Sequence, residues 1–244
     1  MRPALIASLV ALAAAGCTQP EPKVDAAFGA KVRAYLLENP EILVEMSDRL
    51  QVKQTQARQQ KAALGISANR ARLERDSRDH VLNPDGKVTV VQFFDYNCGY
   101  CKIIAPQVLA MARERPNVRF VFKDMVIFGE TSEYAAAAAS LAKSPAQYAA
   151  IHNAFMSTKP LDDAAVDRIL TANGISPADA RKQQAAASRK AYIRDVHSVA
   201  EQLGIEGTPA FIVGDTMIPG ADADALKAAI DKALKAKPAG SSAA

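Results

Sequence analysis

Hydrophobic positions along the chain change period several times, and each change marks an element. From Val88 to Phe94 the sequence reads Val-Thr-Val-Val-Gln-Phe-Phe, with five of seven positions β-branched aliphatic or aromatic. The run is too short and too dense for an amphipathic helix and predicts a central strand. Asp95, Tyr96 and Asn97 suit a turn, and the spacing from Lys102 to Ala112 predicts a helix. In Val118 to Asp124, Val118, Phe120 and Phe122 alternate with Arg119, Val121 and Lys123, which predicts a second strand. Strand, helix, strand implies a parallel crossover. From Ser132 to Leu203, Ala-rich helical segments are punctuated by Pro145, Pro160, Gly174 and Pro177, giving roughly four or five helices, the last over about 188–203. Thr208 to Val213, the turn Gly214-Asp215 and Thr216 to Ile218 form a hairpin. A final amphipathic helix runs from Asp222 to about Leu234, and 237–244 read as a disordered tail.

The region before residue 81 patterns differently. Phe28, Val32, Tyr35 and Leu36 recur at helical spacing until Asn39-Pro40 stops that helix. A second helix is expected over 41–64, apolar at Ile42, Leu43, Met46 and Leu50 and then Gln/Lys/Arg-rich, followed by a charged third piece over 67–77. This arm, 26–80, offers little core of its own. It packs on the main domain, pairs with copies of itself, or serves as a solvated spacer. The turn signature Asn83-Pro84-Asp85-Gly86 leads into the compact domain, 81–236.

Composition narrows the setting. With 244 residues, 49% of them hydrophobic, the chain has ample core material. The net charge of +4 is dispersed, which argues against nucleic acid as a partner. After Met1-Arg2-Pro3, the apolar run Ala4 to Ala15 is too short to span a bilayer and reads as an export signal over 1–16. Ala14-Ala15-Gly16-Cys17 resembles a bacterial lipobox, which would make Cys17 a lipid anchor. Ala14 stands where that box usually has Leu, so ordinary signal cleavage remains open. Pro20 and Pro22 make 17–25 an extended linker.

The chemistry concentrates at Cys98-Gly99-Tyr100-Cys101. A cysteine at a helix N-terminus meets unpaired N–H groups and the positive dipole end, which favour thiolate over thiol. Cys101, one helical turn on, lies within disulfide reach, so the pair can cycle between dithiol and disulfide. A structural disulfide or half a zinc site is the alternative. Zinc would need further ligands from Cys17, His80, His152 and His197, which form no second close pair. His152 and His197 read as packing or surface residues.

Phe93-Phe94-Asp95-Tyr96-Asn97-Cys98, the helical insertion and Gly207-Thr208-Pro209 together resemble the DsbA-like family of the thioredoxin fold, over about 81–235. With Tyr35-Leu-Leu-Glu-Asn-Pro-Glu-Ile-Leu added, the chain is similar to the subgroup containing the suppressor-of-copper-sensitivity protein C, some of whose members oligomerise through N-terminal helices. The resemblance implies an α/β thioredoxin-like fold with a helical insertion, about 132–203, preceded by an N-terminal helical arm. It implies a cis Pro209 against Cys98 and a Thr208 backbone that pairs with an extended substrate. It also implies no cofactor, protein substrates with thiols or disulfides, and a membrane redox partner. Many thioredoxin-like proteins carry a buried carboxylate where this chain has Gln92, and an amide cannot take a proton. The expected function is an exported thiol-disulfide oxidoreductase, isomerase or oxidase, with Thr208 and the arm favouring isomerase. A copper- or zinc-binding thiolate protein and a non-catalytic client-binding module are the rival classes.

Overall fold

The computed structural model describes residues 25–236. The export signal expected over 1–16, Cys17 and all the rest of the expected linker 17–25 but Asp25, and the tail expected over 237–244 lie outside the described residues. The chain divides into two compact units between Val52 and Lys53.

In the first unit, Asp25 caps helix α1 (Ala26–Glu38) by accepting from the Ala27 N–H at 2.9 Å, and Asn39 ends it. Pro40 precedes the start of helix α2 (Glu41–Glu74). No residue from 25 to 52 is buried. Phe28, Tyr35, Leu37, Leu43, Val44, Met46 and Leu50 are all exposed.

The second unit is built on a five-stranded sheet. Its strands are β1 (His80–Leu82), β2 (Val88–Phe94), β3 (Val118–Asp124), β4 (Ala210–Val213) and β5 (Thr216–Pro219), in the order β1-β3-β2-β4-β5. β2 and β3 are parallel, with α3 (Gly99–Glu114) connecting them, and the other pairings are antiparallel. The insertion comprises α4 (Glu130–Ala139), α5 (Pro145–Ser157), α6 (Asp163–Ala172), α7 (Pro177–Ala185) and α8 (Ala187–Leu203), and α9 (Ala223–Lys235) closes the unit.

Alternation along the strands separates two cores. Val90, Phe94, Phe120, Phe122 and Phe211 pack with α3, α5 and α9 residues such as Ile104, Val108, Phe155 and Ile230. Val91, Phe93, Val121 and Ile212 face the other way, onto Val196, Val199 and Leu203 of α8 and onto Ile66 and Leu73 of α2. Polar cross-links reinforce this second layer. Lys123 Nζ donates to Asp79 Oδ2 and to Arg72 O, both at 2.5 Å, the Tyr192 hydroxyl donates to Asp79 Oδ1 at 2.9 Å, and Arg189 pairs with Asp124 at 2.7 Å.

Three expectations change. The break expected between residues 64 and 67 is absent: α2 continues through Gly65, which passes close to α8, where a Cβ would lie 3.1 Å from Gln202 O. The boundary expected at residue 80 moves to Val52/Lys53. Ala62, Ile66, Asn69 and Leu73 form a buried stripe inside the charged stretch, so 53–74 belongs with the second unit. His80–Leu82, where no strand was expected before the turn signature, is an edge strand on β3. Replacing Ile66 or Leu73 by Ala is therefore expected to lower the unfolding free energy by about 2–5 kcal/mol each, measured by denaturant titration. A loss near zero would show that this stretch of α2 is not part of the core.

Candidate active site

The carboxyl ends of the parallel strands β2 and β3 meet at one edge of the second unit, the usual place for a site in such a sheet. β2 runs into the turn Asp95-Tyr96-Asn97, where Cys98 N–H donates to Asp95 O at 3.2 Å. Cys98 is the N-cap of α3, and its sulfur accepts from the main-chain N–H of Cys101 at 3.3 Å. The register Phe93 to Ala210 carries Thr208-Pro209 alongside this turn. The Thr208-Pro209 peptide bond is cis, Pro209 is buried, and the Cys98 thiol donates to Thr208 O at 3.2 Å. Cys98, Cys101, Thr208 and Pro209 are thus brought together.

The two sulfurs differ in acidity. Cys98 is 2% exposed and Cys101 is wholly buried, both as free thiols. The Cys98 thiol is pulled from 9.0 down to about 6, chiefly by the hydrogen bond from the Cys101 thiol and, against the opposing effect of burial, by the N–H groups of Cys101 and Tyr100. Burial pushes Cys101 far up, and the Cys98 sulfur beside it adds to the rise. The two shifts favour the thiolate at Cys98 and the thiol at Cys101.

Two residues missed from the sequence hold this turn. Asp95, buried, accepts four hydrogen bonds. Its Oδ1 takes the Asn97 N–H at 2.7 Å and the Ser132 hydroxyl at 2.6 Å, and its Oδ2 takes the N–H groups of Ile127 at 2.7 Å and Phe128 at 3.0 Å. It ties the cysteine-bearing turn to the segment between β3 and α4, where the Ile127 and Phe128 side chains are exposed, as are Tyr100 and Ile103 on α3. Lys102, also buried, is the second. The signal for Asp95 was its aptitude for accepting main-chain N–H groups two residues on. For Lys102 it was only a charge on the apolar face of α3.

The other candidates fall elsewhere. His152 is fully buried, its Nδ1 3.3 Å from the hydroxyls of Tyr96 and Tyr148, and burial lowers its pKa to about 3. His197 Nε2 lies 2.9 Å from Val126 O. Gln92, 1% exposed, faces the α3 layer, and neither its amide oxygen nor its nitrogen has a hydrogen-bond partner. Among the described residues no group of three or more His, Cys, Asp or Glu is arranged to hold a metal ion. A groove of about 440 Å³ lined by Leu109, Ala112, Arg113, Ala146 and Ala149 lies at the far end of α3 from the sulfurs.

Residues 89–231 match the model of the DSBA-like thioredoxin domain. The chain belongs to that family. Residues 25–57 match the model of the copper resistance protein ScsC N-terminal domain. A thioredoxin-like oxidoreductase from Silicibacter pomeroyi is 37% identical and superposes with a TM-score of 0.64, covering 69% of this chain and 99% of that one. A linker-deleted ScsC from Proteus mirabilis is 27% identical with a TM-score of 0.65, covering 88% and 99%. Disulfide bond formation protein D of Bacillus subtilis is 25% identical over 63% of this chain and 75% of its own length. The chain spans only 30% of another curated relative, a Na(+)/H(+) antiporter from Salinispora arenicola. Among the described residues no helix is long and apolar enough to cross a membrane. DsbA-like family members are thiol-disulfide oxidoreductases.

The lowered Cys98 value sets a pH dependence. Alkylation of the reduced protein is expected to titrate with a midpoint near pH 6, at a single sulfur. Because the folded value lies below the unfolded one of 9.0, the thiolate's contribution to the stability of the reduced form is complete above about pH 9 and is lost as pH falls through 6. The reduced form should therefore lose stability relative to the disulfide form across that window, read from paired denaturant curves. A midpoint near that of a free cysteine would contradict the geometry.

Proposed function

We propose that the chain is an exported protein thiol-disulfide oxidoreductase acting on cysteines of unfolded or misfolded polypeptides. Cys98 is the nucleophile, Cys101 the resolving thiol, and Thr208-Pro209 the platform for the substrate backbone. The observation that carries this reading is the Cys98 sulfur at the cap of α3, hydrogen-bonded to Cys101 N–H and facing Thr208 O. Its thiolate attacks a client disulfide, forming Cys98–S–S–R and releasing the other client sulfur as a thiolate. Either a different client thiolate attacks the R sulfur, forming a new client disulfide and releasing the Cys98 thiolate, which is isomerisation, or Cys101 gives up its proton and attacks the Cys98 sulfur, expelling the R thiolate, which takes up a proton, and leaving the enzyme disulfide and a reduced client. Run backwards, the same steps oxidise a client dithiol.

Apolar side chains around the sulfurs, Tyr100, Ile103, Ile127 and Phe128, match clients with exposed core residues. The export segment over 1–16 and Cys17 as a lipid anchor put the site where disulfides form. Isomerase activity is favoured by Thr208 before the proline and by the first unit, whose exposed Phe28, Tyr35, Leu43 and Leu50 suit association with copies of this chain. An isomerase must be held reduced, which calls for a membrane redox partner.

Recovery of scrambled ribonuclease tests the assignment. Cys98→Ser is expected to reduce recovery to background, and Cys101→Ser to accumulate a mixed disulfide at Cys98. A chain beginning at Lys53 should keep dithiol oxidation but lose isomerase activity. Full recovery by Cys98→Ser would end the reading, and an unimpaired Lys53 form would end the arm-dependent isomerase.

A further inference from the structure

Among the described residues two lysines lie in the interior, and their surroundings differ. Lys123 pairs with the carboxylate of Asp79. Lys102 is 8% exposed, and its Nζ donates to two neutral main-chain carbonyls, Phe155 O at 3.1 Å and Thr158 O at 2.6 Å. Phe155 lies in the last turn of α5 and Thr158 is its C-cap. The partial negative charge of a helix end explains where the ammonium rests. It does not offset the burial of a full charge. Among the described residues, none of the ion pairs includes Lys102.

The charged and titrating groups that face Lys102 are few. Asp95 comes from the turn after β2, with both oxygens engaged by four donors. Lys159, just after α5, brings a like charge. Cys98 is the N-cap of the helix that carries Lys102, its carbonyl accepting the Lys102 N–H at 3.1 Å, and Cys101 is the adjacent residue in the helix. Burial and Lys159 draw the ammonium's pKa down, while Asp95 and the two sulfurs hold it up.

We propose that Lys102 is a positioning residue for the redox pair: its buried ammonium is the counter-charge of the Cys98 thiolate and shifts the dithiol–disulfide balance towards the dithiol. The proposal rests on the reading of Cys98 and Cys101 as an exchanging pair. With glutathione as reductant, the enzyme disulfide and two thiols give Cys98 thiolate, Cys101 thiol, one glutathione disulfide and one proton. Two electrons pass from the glutathione sulfurs to the enzyme. Only the reduced side sets an anion near the ammonium, so Lys102 makes the protein a stronger oxidant than a neutral residue would. The effect is reciprocal: the thiolate must raise the proton affinity of the amine by the same factor.

The reciprocal effect is measurable in the unaltered protein. With lysine side chains isotopically labelled, the Lys102 amine should titrate about one pH unit higher in the reduced form than in the disulfide form, since one unit is a tenfold coupling. In Lys102→Met, the alkylation midpoint of Cys98 should rise by about one unit, and the equilibrium constant for reduction by glutathione should fall about tenfold, which is about 30 mV. Lys102→Arg, which keeps the charge, should restore both. A purely structural lysine would change the melting temperature and move neither reading. Equal titration of the amine in the two redox states, or a folded Lys102→Met with unchanged midpoint and equilibrium, overturns the proposal. A wild-type protein that reaches no glutathione equilibrium at all would instead overturn the oxidoreductase reading beneath it.

Discussion

The first turn of a helix has N–H groups with no carbonyl to receive them, and in α3 one of these, on Cys101, is received by the sulfur of Cys98. A single atom is therefore both the cap of the helix and the proposed nucleophile. Its acidity and the integrity of the helix start are one interaction, because whatever favours negative charge on the sulfur also strengthens the cap. The rest of the site supports that turn. β2 delivers it, Asp95 fastens it to the segment after β3, Lys102 anchors the following turn to the end of α5, and β4 brings Thr208 O to 3.2 Å from the sulfur.

The sheet separates two ways of holding a layer. On the α3 side the contacts are nearly all apolar, with His152 and its two tyrosine hydroxyls as a small polar inclusion. On the α8 and α2 side, apolar packing is supplemented by Lys123 with Asp79, and at the end of β3 Arg189 of α8 pairs with Asp124. Gln92 falls on the apolar side, under α3, as a neutral amide with no partner of its own. The buried carboxylate in the cysteine-bearing turn, Asp95, already has both oxygens engaged. Cys101 therefore has no free carboxylate from either residue to take its proton.

What the sequence revealed followed from signals confined to a few residues. The dense run of β2, the alternation in β3, the turn at Gly214-Asp215 and the cysteine pair each carry their own pattern, and the insertion's prolines lie at helix starts or between helices. What it concealed depends on partners far along the chain. The expected gap between 64 and 67 spans Gly65, whose closeness to Gln202 is a tertiary fact. The buried stripe Ala62, Ile66, Asn69, Leu73 was obscured by an asparagine and by flanking arginines. β1 has only three residues, too few to show a period. Asp95 looked like any turn residue, because three of its four donors lie more than thirty positions away.

The Asp95 clamp has one more effect. By binding the N–H groups of both Ile127 and Phe128, it fixes the backbone beneath two solvent-facing apolar side chains. A greasy landing strip beside the sulfurs is thus already set when a polypeptide arrives, and little main-chain freedom remains there to be surrendered on docking. Such a surface suits brief encounters with many unrelated chains, held by shape-tolerant contact and released once the sulfurs have exchanged.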